Sequence, residues 1–167
     1  MTVDIQPASA GRAYAMRSGG FSAGVAGRVL GGVVGAGSVA QVLAIGIAGF
    51  LTFRGARASI LQWRTPTGEL TVWQAPASGV WGGILCIVEM LTILAGLMMA
   101  TRGRAAVRHA GHVILLAWNV FWLQGTFRLA LATGGEAWAV AGGSVLFLAA
   151  QVAWWAMGRR TSMPEMF

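Results

Sequence analysis

At 167 residues, with 56% hydrophobic and only 10% charged side chains, the chain has too few charges to cover the surface of a soluble domain of its size. The formal net charge is +7 and every basic residue is Arg. These Arg residues flank long apolar runs and build no face on a folded domain, which excludes a nucleic-acid partner. Cys86, the single cysteine, rules out an intramolecular disulfide and a cysteine-based metal or cluster site.

Four apolar runs predict four transmembrane helices, at about residues 29–53, 80–100, 111–133 and 136–157. Each is near the ~20 residues that an α-helix needs to cross ~30 Å of hydrocarbon. The expected fold class is therefore an all-α integral membrane protein, a four-transmembrane-helix bundle forming one domain over residues 28–158. Residues 1–27 are rich in Gly, Ala and Ser and read as a flexible cytoplasmic tail, with a short interfacial helix near residues 8–16. The first apolar run is too long for the core of a signal peptide, so it counts as a span. Residues 159–167 form a second cytoplasmic tail.

The first span carries rows of small residues. Gly32, Ala36, Ala40, Ala44 and Ala48 recur every four positions, and Gly27, Gly31 and Gly35 make a second row. In lipid, helices associate through close backbone approach, which such rows permit. This helix is expected to pack closely on another helix.

Between the first two spans, Ile60–Arg64 and Glu69–Trp73 are rich in β-formers and flank Thr65-Pro66-Thr67-Gly68. Pro and Gly in those places suit a type I turn, so a short extracytoplasmic β-hairpin is predicted, with Arg64 opposite Glu69. Trp63 and Trp73 would cap the bundle or lie at the headgroups. The Gly134-Gly135 connection is so short that the third and fourth spans must be antiparallel neighbours.

Charge placement orients the chain. Arg12, Arg17, Arg28, Arg102, Arg104, Arg108, Arg159 and Arg160 lie on one side, against Arg54, Arg57 and Arg64 on the other. The bias puts both termini in the cytoplasm. The Arg-only, Ala- and Gly-rich composition points to a GC-rich bacterium, hence a bacterial cytoplasmic (inner) membrane. Trp81 and Trp138 would mark the outer interface, and Trp154 and Trp155 the inner one.

Polar residues inside the spans are the candidates for function. Glu89 sits mid-span, where a charge costs ~2.5–3.5 kcal/mol on insertion scales. Gly82, Cys86, Thr92 and Gly96 share its face, so it should point into protein. Arg128, with Gln124 one turn deeper, is the expected partner, giving an intramembrane cluster of Glu89, Gln124 and Arg128. A second polar stripe, His112, Asn119, Thr126 and Thr133, recurs every seven residues on the opposite side of the third span. Ser144 with Gln151, and Ser38 with Gln41, give the fourth and first spans their own polar positions. Such groups usually act as interhelical glue, worth ~0.6–2 kcal/mol each. His109 and His112, on one helix face, cannot clamp a haem from opposite sides. An interfacial structural role is their default. Trp118, Phe121, Trp122 and Phe127 offer an aromatic surface for which packing is the main reading. A quinone, carotenoid or other pigment is the minor one, on Trp118, Phe121 and Trp122.

No P-loop, HExxH, GxSxG or CxxC occurs. No catalytic residues, metal or cofactor are predicted, and the chain is not expected to be an enzyme. The leading expectation is an accessory or structural subunit of a larger membrane complex, whose partners are the lipid bilayer and other membrane subunits or copies of itself. The alternative is a small oligomeric transporter or channel using Glu89 and Arg128. The third reading is a quinone- or pigment-binding electron-transfer subunit.

Overall fold

The computed structural model describes residues 10–65 and 68–160. The fold consists of four helices, α1 (Ala10–Phe53), α2 (Gly79–Arg102), α3 (Ala105–Thr133) and α4 (Ala137–Arg160), and a two-stranded antiparallel hairpin of β1 (Ser59–Thr65) and β2 (Gly68–Gln74). All four helices are long and apolar enough to cross a membrane, as in a multi-pass membrane protein.

The helix ends follow local chemistry. Gly103 and Arg104 adopt extended backbone and turn the chain between α2 and α3. Gly134 and Gly135 both take positive φ, 65° and 53°, which glycine tolerates without strain, and so reverse the chain in two residues. Residues 10–27, expected as a flexible tail, are instead the first turns of α1. Ala10, Arg12, Ala13, Ala15, Met16 and Arg17 are strong helix formers, and they outweigh the scattered glycines there. Residues 1–9 and 161–167 of the expected tails lie outside the described residues.

Each helix packs on the next in sequence and α4 closes on α1, so α1 and α3 stand on one diagonal and α2 and α4 on the other. Small residues set the closest crossings. At Gly111 of α3 a side chain would run into Ala100 and Gly96 of α2. At Gly49 of α1 it would meet Cys86 of α2 at 2.8 Å. Cys86, Ile45, Ile93 and Leu115 are fully buried along this α1–α2–α3 core.

The hairpin has the register expected from sequence. Arg64 faces Glu69, Trp63 faces Leu70 and Ile60 faces Trp73. The Arg64–Glu69 ion pair, at 3.7 Å, is well exposed and adds little stability. Residues 66 and 67, the centre of the expected turn, lie outside the described residues. What sequence did not reveal is where the hairpin sits. β1 packs on α1 and β2 on α3, so the hairpin wedges into the gap between the diagonal helices. Gly125 of α3 leaves room for the Val72 carbonyl, which any β-carbon there would strike. Trp73 is 3% exposed and joins the helical core beside Cys86 and Ile93. A hairpin too small to hold itself together gains its stability from the helices beneath it.

Candidate functional site

The buried face of α3 decides which polar residues meet. Leu115, Asn119, Thr126, Leu129 and Ala130 point inward, and His112 extends the same stripe by one heptad. His112, Asn119 and Thr126 are 5%, 4% and 2% exposed, so the seven-residue stripe seen in the sequence is the inner face of the helix. Gln124 and Arg128 lie about half a turn away and are exposed.

The expected Glu89–Gln124–Arg128 cluster is therefore not assembled. Glu89, half-buried on α2, accepts a hydrogen bond from the Trp73 indole N–H of the hairpin at 3.2 Å. The side chain expected from α3 is replaced by one from β2, because the wedged hairpin fills the space beside Glu89 and α3 turns its Arg outward. Glu89→Gln keeps an acceptor for the indole and is expected to leave stability within ~0.5 kcal/mol. Glu89→Leu strands that buried N–H and should cost about 1–3 kcal/mol. Unfolding midpoints, together with acrylamide quenching of the tryptophans, would separate the two variants.

Beneath the hairpin, three side-chain amides bridge the bundle. Gln41 Nε2 of α1 donates to Asn119 Oδ1 of α3 at 3.0 Å. Asn119 Nδ2 donates to Gln151 Oε1 of α4 at 2.6 Å, and Gln151 Nε2 donates to the His112 backbone carbonyl at 3.3 Å. A carbonyl only accepts, so it fixes the orientation of Gln151, and each amide then sets the next. Of the residues expected as glue, Gln41, Asn119 and Gln151 join three helices in one chain through Asn119, whereas Thr126, Thr133 and Ser144 donate to carbonyls of their own helices. The Gln41–Asn119 bond spans the diagonal between α1 and α3, whose backbones stay apart. Beside it a cavity of about 230 Å³ lies between α1, α3 and α4, lined by Gln41, Asn119, Trp122, Ser144 and Phe147.

At the opposite end from the hairpin the two histidines meet the tryptophans of α4. Trp155 Nε1 donates to His109 Nδ1 at 2.8 Å. His112 lies edge-on to Trp154, with ring centroids 4.6 Å apart, and stacks on Trp155 at 5.8 Å. Trp154 and Trp155, expected at the inner interface, are half-buried near the end of α4, against the two histidines of α3. The available signal was spacing: Gln151, Trp154 and Trp155 stand at i, i+3 and i+4, one helix face. Trp81 and Trp138, 73% and 48% exposed, have the outward disposition of a belt.

The aromatic surface expected of Trp118, Phe121 and Trp122 does not form one concave wall. Phe121 is 51% exposed, while Trp118 and Trp122 pack inward against the core. Trp118 and Phe121 have their rings 5.7 Å apart.

The small-residue row of α1 is divided. Ala48 is buried and Ala44 half-buried, but Gly32, Ala36 and Ala40 are exposed. The face that α1 presents to its own bundle carries Val34, Ser38, Val42, Ile45 and Thr52. Sequence spacing identified a packing ridge; three of its five positions are left exposed among the described residues. Among the described residues there is no group of three or more His, Cys, Asp or Glu able to hold a metal ion. No family model matches the chain, and no curated protein or solved structure shows significant similarity to it.

Proposed function

We propose that this protein is an accessory or structural subunit of a larger bacterial membrane assembly, held in the cytoplasmic membrane with both termini inside. The observation that carries this reading is the exposed Gly32–Ala36–Ala40 ridge. Small residues cost packing area when they face lipid tails, and they return it only when another backbone comes close. A bundle already closed by its own hairpin and amide chain has no internal use for that ridge. α4 adds a second under-packed surface, where Gly142 and Gly143 have no neighbouring atom in reach of a β-carbon. The Arg bias toward the end opposite the hairpin supports the orientation, making that end cytoplasmic and the hairpin extracytoplasmic.

The test is extraction from native membranes in mild detergent, with identification of co-purifying chains. Ala36→Leu with Ala40→Leu is expected to leave the stability of the isolated protein within ~0.5 kcal/mol, since both sites are exposed. The same double variant should remove its partners. Recovery of the parent protein only as a solitary monomer would refute the proposal. A transporter or channel would have to use Glu89 without Arg128, because Glu89 is bonded to Trp73 and Arg128 is exposed on α3.

A further inference from the structure

Two basic residues sit at the end of the bundle where the charge bias calls for few. Arg54 and Arg57 follow α1 on the hairpin side, away from the main cluster of Arg. Arg54 stands over the Phe50 ring, 5.9 Å from its centroid. Arg57 is exposed and has no partner among the described residues. Glu69, the acid of the hairpin, is taken by Arg64 and Gln62. Arg57 lines a groove of about 470 Å³ between α1 and β1. The Ala56 N–H donates to the Leu51 carbonyl at 3.1 Å, so the chain leaving α1 folds back at the level of Leu51 and brings Arg57 to the outer end of that groove.

The floor of the groove is Ala44, Ile47, Ala48 and Leu51, a single strip of α1 at i, i+3, i+4 and i+7. Ala44 lies about 10 Å deeper along the helix than Leu51, so the groove descends from the end of α1 into the hydrocarbon. Ile47 and Leu51 are 64% and 44% exposed, which leaves the strip open to the bilayer. The other wall is β1, whose polar side chains are satisfied within the hairpin. Ser59 Oγ donates to Gln62 Oε1 at 3.0 Å, and Gln62 Nε2 donates to Glu69 Oε2. Leu61, also in this wall, takes φ 53°, a left-handed conformation unfavourable for leucine, and it alone in β1 has no register partner in β2. An edge broken in this way is a poor template for a further strand, whereas a hydrocarbon chain needs no backbone partner. One unpaired guanidinium at the outer end and an apolar floor running inward suit an anionic amphiphile with its head outward.

We propose that the α1–β1 groove binds an anionic phospholipid of the leaflet on the hairpin side, its phosphodiester at Arg57 and one acyl chain along Ala44, Ile47, Ala48 and Leu51. Guanidinium–phosphate contacts are charge-assisted and directional. Arg57 also borders a polar space beside Gln74 and Ser78, beyond the ends of the helices, which gives the headgroup room on the water side. A free phosphate would use Arg57 and leave the apolar floor without a role. The proposal rests on the helices spanning a bilayer and is independent of the subunit reading. The groove takes the hairpin end of the α1 ridge and leaves Gly32, Ala36 and Ala40 to a protein partner.

The experiment uses the delipidated full chain in mild detergent and a phosphatidylglycerol that carries a diazirine midway along one acyl chain. After irradiation, peptide mapping should place the adduct on α1 within residues 44–51. Unlabelled phosphatidylglycerol should suppress it where phosphatidylcholine does not. Arg57→Gln should raise the phosphatidylglycerol concentration needed for half-labelling by about tenfold, as expected for loss of a charge-assisted contact. Arg54→Gln, outside the groove, should change it less than about twofold. Ala44→Leu, which fills the groove and leaves the charge unchanged, should cut the labelling as well. Equal competition by the two lipids, or an adduct spread over all four helices, would overturn the proposal. So would equal losses in Arg54→Gln and Arg57→Gln, the mark of diffuse surface charge. Full suppression by inorganic phosphate would assign Arg57 to a free anion and overturn the lipid assignment.

Discussion

Asn119→Leu is expected to destabilise the bundle by about 2–4 kcal/mol. The substitution removes two interhelical hydrogen bonds, each worth ~0.6–1.7 kcal/mol in a bilayer protein. It also leaves Gln41 Nε2 and Gln151 Oε1 facing a methyl-bearing side chain, and stranded buried polar groups cost ~1–3 kcal/mol apiece. Asn119 is 4% exposed, so water offers little relief. A double-mutant cycle sharpens the expectation. With Gln151→Leu in place, Asn119→Leu no longer strands the Gln151 acceptor, and its cost should fall by about 1–2 kcal/mol. Equilibrium unfolding of the purified protein in mixed micelles measures all four corners. A loss below ~0.5 kcal/mol for Asn119→Leu would show that the amide chain contributes nothing to stability.

The second large effect is at the α2–α3 crossing. A β-carbon at Gly111 would come within 2.6 Å of the Gly96 carbonyl and 2.8 Å of Met99 Cβ, and would also strike the Ala100 backbone nitrogen. Two of those obstacles are backbone of a packed helix and cannot rotate aside. Gly111→Ala should cost about 1–3 kcal/mol through forced separation of α2 and α3, and Gly111→Val more, to the point of poor folding. The control lies in the same protein. Gly142→Ala and Gly143→Ala meet nothing within 4 Å, so helix propensity should make each neutral to stabilising by up to ~1 kcal/mol. Thermal unfolding of the three alanine variants in one detergent gives the comparison. Equal effects at Gly111 and Gly142 would refute the close crossing.

The four helices were legible because apolar run length is a one-dimensional signal, and the hairpin because Pro66 and Gly68 sit between β-formers. The heptad of His112, Asn119 and Thr126 was legible for the same kind of reason: one helical face is a matter of counting. Partners across helices were not. Glu89 has the depth to meet Arg128, and depth alone suggested the pair. Helix rotation decides the matter, and it depends on Gly111 and Gly125 bringing one particular face of α3 against α2 and the hairpin. Trp73 could not be placed beside Glu89 from sequence either, because nothing in a hairpin motif says that it will insert between helices. The contact of Trp154 and Trp155 with His109 and His112 was not read from sequence, although their spacing from Gln151 puts all three on one face of α4.

That same division of faces leaves the exposed part of the α1 ridge as the central claim, and one measurement addresses it directly. A photo-crosslinking amino acid placed at Ala36 or Ala40, and in parallel at Leu146, a lipid-type position of α4 that is 72% exposed, is activated in native membranes. The account predicts a discrete protein–protein crosslink from Ala36 and Ala40 and none from Leu146. Capture of lipid alone at all three positions would contradict it.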